Sequence, residues 1–229
     1  MKIYTKLGAM SDCHYTQENN VTEEIIKKDD AEDREKLRKT MVDLGMSKKV
    51  IEYILESMGG YLETCGPTAL STCIHAIGKM PVFNCPGGYI QKPENVITDC
   101  LNDPYSYPYL RQIRKETDPA KWLGNRIPQF YAYACHEVFG VTALFNWSKD
   151  LDYVYHSIRD NYAIMACMRD PGHFIPIVGY DDQTGNLIYH DPWSSNYYPK
   201  RLQGTPAFHR ELYPSEWEAN IEGYTIRIG

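Results

Sequence analysis

The stretch Glu63-Thr64-Cys65-Gly66-Pro67-Thr68-Ala69-Leu70 places a cysteine where a loop turns into a helix. Pro67 suits a first helical turn, because its ring fixes φ and its missing N–H would have had no partner there. Helix is therefore expected from just after the sulfur. Leu70, Cys73, Ile74 and Ile77 then recur at helical spacing, which buries one face, and Gly78 suits a left-handed C-cap. A cysteine at the open end of such a helix meets unpaired backbone N–H groups and the positive end of the macrodipole. Both favour thiolate, the nucleophilic form, over thiol. Free cysteines are commonly just small buried residues, so Cys65 needs a proton-transfer partner before it counts as a nucleophile.

The partner comes from Asp170-Pro171-Gly172-His173-Phe174-Ile175-Pro176-Ile177-Val178-Gly179-Tyr180-Asp181. Phe174 to Tyr180 is apolar on both faces, as in a strand inside a covered sheet, with His173 at its mouth after a Pro-Gly turn. Pro176 counts against a fully paired central strand. Asp182 to Asn186 are turn formers, and Leu187-Ile188-Tyr189 begins a second apolar run that ends at His190-Asp191-Pro192. A hairpin folded about that turn brings Asp191 within a rung or two of His173, where a carboxylate orients an imidazole if the register puts both on one face. His190 adjoins Asp191 and so points to the opposite face of a strand. His75 lies further along the nucleophile helix, roughly 15 Å from Cys65 at the standard rise, too far for proton transfer.

In this order the residues resemble the C39-like branch of the papain-fold cysteine peptidases. The likeness rests on Cys65-Gly66-Pro67-Thr68, on His173 with Gly179-Tyr180, and on Asp191-Pro192, and it spans roughly residues 11 to 198. It implies an α+β papain-like fold, with the nucleophile helix packed on a mainly antiparallel sheet, and a triad of Cys65, His173 and Asp191. Members of the group carry a glutamine whose side-chain amide helps to form the oxyanion hole. In many it lies a few residues before the nucleophile, where this chain has Gly59. The segment Tyr15-Thr16-Gln17-Glu18-Asn19-Asn20 is similar to the Tyr-x-Gln-x-x-Asn element of some members, and the role passes to Gln17. The backbone N–H of Cys65 supplies the second donor to the developing negative oxygen.

That assignment requires the chain between Gln17 and Cys65 to loop out and return. Thr22-Glu23-Glu24 is an acidic helix start, and Leu37, Met41 and Leu44 keep an apolar stripe up to Gly45. Ser47 caps a second helix with Val50, Ile51, Ile54, Leu55 and Met58 on one face, stopped by Gly59-Gly60. Residues 21–60 thus read as a helical hairpin inserted in a single catalytic domain spanning 1–229. It either shapes substrate access or only covers a core edge.

The 229 residues, 43% of them hydrophobic, suffice for one large domain. A net charge of −6 argues against a general nucleic-acid binder. The first residues carry no signal peptide pattern, and no apolar run approaches the roughly 20 residues needed to cross a bilayer. Seven cysteines without paired CxxC spacing support neither zinc nor a disulfide framework. Synthesis in the cytoplasm is expected, a reading compatible with later release by lysis. Asp181, Asp182 and Asn186 around Gly185 read as a plain turn rather than a calcium loop.

Residues 81–119, rich in Pro, Asn, Asp and Tyr, form a long connection suited to lining a groove. Helix is expected over 128–138 and within the capped run 148–160, and strand over 162–168. Trp193, Tyr197 and Tyr198 suit either packing or stacking on a sugar ring. The expected activity is that of a cofactor-free thiol hydrolase acting on a peptide, with the peptide cross-links of bacterial cell wall as one substrate and leader peptides as another. The rival is a papain-fold binding module without turnover, suggested by the missing glutamine at the usual position. The oligomeric state is not legible in the sequence.

Overall fold

The apolar runs that flank His173 become the centre of a seven-stranded sheet in the computed structural model. The residues described are 1–15, 65–81, 128–169, 172–193, 199–202 and 205–229, with isolated positions between 35 and 51 and between 93 and 97. The strands are β1 (Lys2–Tyr4), β2 (Ala143–Asn146), β3 (Ala163–Met168), β4 (His173–Asp181), β5 (Leu187–Tyr189), β6 (Arg210–Leu212) and β7 (Ile221–Ile228). Their order is β2-β7-β3-β4-β5-β6, with β1 also on β4, and every pairing is antiparallel. The helices are α1 (Cys65–Ala76), α2 (Pro128–Phe139), α3 (Leu151–Arg159) and α4 (Pro214–Asn220). The chain is thus α+β, with α1 packed on an antiparallel sheet.

Strand alternation sorts the side chains into two cores. Met165 of β3, Phe174 of β4 and Ile226 of β7 pack with Leu70, Cys73 and Ile74 of α1 and Tyr131 and Ala134 of α2. On the other face Ile164, Ile175, Ile177 and Tyr189 pack with Val154 and Ile158 of α3 and Trp217 of α4. With both faces covered, β4 is buried along its whole length except Asp181, which is why it reads as a continuous apolar run instead of an alternating one.

Pro176 marks the place where β4 is not fully paired. β4 is central, and Pro176 stands opposite Met165 of β3. The β5 ladder spans only Ile177 to Tyr180, so Pro176 lies beyond it and a strand that is unpaired on one side tolerates the missing donor. The β4–β5 turn closes as expected, with Asp181 N–H on Asn186 O at 2.9 Å and Gly185 at φ 71°.

α1 begins at Cys65 itself, one residue earlier than expected, and ends in a Schellman motif. The Gly78 N–H bonds His75 O at 2.8 Å, the Lys79 N–H bonds Ile74 O at 3.1 Å, and Gly78 is left-handed at φ 78°. α3 is capped by Asp150, whose carboxylate accepts the Asp152 N–H at 3.1 Å. The C-terminal strand β7, which sequence reading left unassigned, lies between β2 and β3.

Gln17, Tyr197, Tyr198 and nearly all of the 81–119 connection lie outside the described residues. So does most of the expected 21–60 hairpin; the isolated positions Arg38, Asp43, Lys48 and Ile51 within it are helical. No helix among the described residues is long and apolar enough to cross a membrane.

Gly66 has a steric reason. A Cβ there would sit 1.8 Å from the Tyr131 hydroxyl oxygen and 2.4 Å from the ring carbon that bears it. Tyr131 is fully buried and packs edge-on against Phe174, with ring centroids 5.1 Å apart, so it has no room to retreat. Gly66→Ala is expected to destabilise the fold by about 1–3 kcal/mol, the usual range for overpacking, read as a lower urea midpoint. An unchanged midpoint would contradict this packing.

Candidate active site

Three elements meet at the mouth of β4. α1 brings Cys65 in its first turn, β4 opens with His173, and the chain leaving β5 brings Asp191. In the β4–β5 ladder Ile177 opposes Tyr189. His173 and Asp191 each lie an even number of residues from that rung, so pleating puts both on one face. His173 Nε2 bonds Asp191 Oδ1 at 2.8 Å. Cys65 lies close enough to the same imidazole to help hold its proton, and since Nε2 is committed to Asp191, Nδ1 is the ring nitrogen left for another partner.

The site is nearly closed to solvent. Exposure is 8% for Cys65, 3% for His173 and 0% for Asp191. Burial alone would push the His173 imidazole down, yet the bond to Asp191 and the neighbouring Cys65 outweigh that and raise it to about 9. Burial would likewise push the Asp191 carboxyl up, but the bond from His173, the Trp193 N–H at 3.0 Å and the nearby Arg210 hold it below its ordinary range. The imidazolium–carboxylate pair is therefore the favoured form through neutral pH.

Asp191 is fixed on every side. Arg210 Nη1 bonds Oδ2, the Asp191 N–H bonds Ala207 O at 2.8 Å, and its carbonyl meets His14 Nε2 at 3.0 Å. Arg210 went unrecognised in the sequence, where an Arg on a short strand looks like a surface residue. Trp193 stands edge-on to His173, with ring centroids 6.1 Å apart. That contact is packing against the imidazole, whatever else the indole meets.

The other candidates lie elsewhere. His190 Nε2 faces Gly8 O at 2.9 Å, and burial with neighbouring His209 pushes its imidazole down to about 3. His75 meets the Tyr15 hydroxyl at 3.0 Å. Cys73 is fully buried in the core beneath α1. Cys167, half-buried on β3, has its thiol pushed up to about 11 by burial. Among the described residues no group of three or more His, Cys, Asp and Glu side chains is placed to hold a metal ion.

Chemically, a thiol at a helix N-terminus with a buried imidazole on one side, itself held by a carboxylate, is arranged to pass a proton from sulfur to nitrogen. The opening N–H groups of any helix lack a partner within it, which makes such an end suited to a negative oxygen. A comparison with curated proteins returned no match. Residues 48–219, well over half of the chain and containing Cys65, His173 and Asp191, match the Peptidase_C39 like family. The chain belongs to that C39-like peptidase family.

Proposed function

We propose that this protein is a cysteine peptidase in which Cys65, His173 and Asp191 carry the reaction and Gln17 assists. The reading rests above all on the buried 2.8 Å bond between His173 and Asp191, with Cys65 near the same imidazole. The Cys65 thiolate adds to an amide carbonyl carbon. The resulting oxyanion is met by the Cys65 N–H and the Gln17 side-chain amide. As the C–N bond breaks, the His173 imidazolium gives its proton to the departing amine, leaving a thioester on Cys65. Neutral His173 then takes a proton from water, hydroxide adds to the thioester, and the thiolate leaves with release of a carboxylic acid. Asp191 holds the imidazole tautomer and its charge throughout.

For the substrate we propose a peptide amide, with the peptide cross-links of bacterial cell wall as the class to test first. That choice rests on family likeness. Release of the protein by lysis would bring it to such a substrate.

Cys65→Ala is expected to lower hydrolysis by at least about 10³-fold, as loss of a nucleophile does in comparable triads. The check is incubation with purified sacculi beside a mixed peptide library, with mass spectrometry of the products. New amine termini from sacculi alone support the cell-wall reading, and cleavage confined to the library points to a soluble peptide. Retained activity in Cys65→Ala, or no new terminus in either, would sink the peptidase reading.

The pH dependence follows from the same pair. Leaving-group protonation needs the imidazolium, so kcat/KM is expected to fall as pH rises through about 9. Stability follows with matching sign. Because His173 is raised in the fold from an ordinary 6.5, its contribution is complete below that value and is lost as pH rises through about 9. Asp191 is depressed, so its contribution is present above about pH 3.9 and is lost as pH falls further. Melting temperatures across this range test both limbs; a melting temperature that keeps rising through pH 9 would contradict the His173 assignment.

A further inference from the structure

Asp191 accepts His173 Nε2 at 2.8 Å and the Trp193 N–H at 3.0 Å on Oδ1, while Oδ2 is taken by Arg210 Nη1. Arg210 is 2% exposed, and its guanidinium has no freedom to swing away. Nη2 donates to Thr205 O at 3.1 Å and Nε donates to Pro206 O at 3.1 Å. β6 is only three residues long, yet its register has a clear effect: Arg210 pairs with Tyr189, two residues before Asp191, so the side chain reaches the carboxylate as the chain leaves β5.

The charges explain why an arginine belongs there. In the reactive form Cys65 is negative, His173 positive and Asp191 negative, which leaves one uncompensated negative charge in a space closed to water. Buried charges persist when they are paired and hydrogen-bonded, and otherwise the group neutralises. A protonated Asp191 would no longer hold an imidazolium. A guanidinium supplies both the missing charge and a planar fork that fixes the carboxylate's rotation, which a lysine ammonium does less well.

We propose that Arg210 is a positioning residue for the thiol chemistry, acting through Asp191: it completes an alternating chain of charges, Cys65, His173, Asp191, Arg210, that keeps the carboxylate ionised and aimed at His173. The inference rests on the peptidase reading above for the identity of the reacting groups. Around the pair stand Cys65 from α1, Cys167 from β3, Tyr189 from β5 and His14 from the N-terminal segment, the last on the Asp191 carbonyl instead of its carboxylate. Among the described residues, Arg210 meets the Asp191 oxygen that His173 does not.

The sign of the effect is fixed by electrostatics. Removing a positive charge raises the titration of every neighbouring group, acid or base. In Arg210→Met the alkaline fall of kcat/KM is expected to move to higher pH by about one unit, and the His173 ring signals in a histidine-selective NMR titration should move with it. Arg210→Lys keeps the charge and is expected to leave the titration in place while lowering kcat. A purely structural role predicts a lower melting temperature in both variants with the alkaline fall and the His173 titration unmoved, which would overturn the proposal. If Arg210→Met fails to fold, the double variant Asp191→Asn with Arg210→Met decides. Recovery of folding in the neutral pair supports charge compensation, and continued misfolding refutes it. The NMR titration does not depend on turnover, so hydrolysis retained in Cys65→Ala would remove the peptidase reading while the His173 shift still decided the role of Arg210.

Discussion

The bond between His173 and Asp191 is the constraint around which the rest of the structure is arranged. A buried ion pair is tolerated only with good geometry and with its remaining lone pairs and protons satisfied, and the local architecture meets both demands. The β4–β5 hairpin fixes the separation of the two side chains, and its pleat fixes their common face. The chain from Thr205 to Arg210 then wraps the carboxylate, with Ala207 on its backbone and Arg210 on Oδ2. Two cores, one on each face of the sheet, hold these pieces in place.

The helix that carries Cys65, α1, docks onto that frame by close packing. Gly66 lets the Tyr131 hydroxyl approach the first turn of α1, and Tyr131 in turn packs on Phe174, the residue next to His173. Sulfur and imidazole are thereby positioned through one chain of contacts: α1 on Tyr131, Tyr131 on Phe174, Phe174 beside His173. A protein interior at this density transmits small displacements rather than absorbing them. The register between Cys65 and His173 therefore depends on Tyr131, a residue that touches neither reacting atom in the proposed chemistry.

Much of the site's neighbourhood was legible in the sequence, because local rules decide it. Pro67 and Gly78 marked the two ends of α1, the turn formers 182–186 marked the hairpin, and period-two geometry separated Asp191 from His190. Pro176 marked incomplete pairing of its strand, although the sequence does not say how far the neighbouring strand extends. β7 escaped notice although Ile221, Thr225, Ile226 and Ile228 are buried in it; with Glu222, Gly223 and Arg227 interleaved, its alternation is broken. Arg210 was illegible for a different reason. Its partner is fixed by strand pairing at a distance in sequence, and nothing local distinguishes a buried arginine from a surface one. Gln17 and the 21–60 insertion, both read from the sequence, lie outside the described residues and stand as proposals.

The claim at the centre of this account is that Cys65 and His173 share a proton as a buried ion pair. Alkylation by iodoacetamide in mildly acidic buffer, read by intact mass and peptide mapping, addresses it most directly, because ordinary thiols are almost unreactive there. The account predicts rapid single modification at Cys65 and its suppression in His173→Ala. Uniform slow labelling of all seven cysteines, unchanged by His173→Ala, would contradict it.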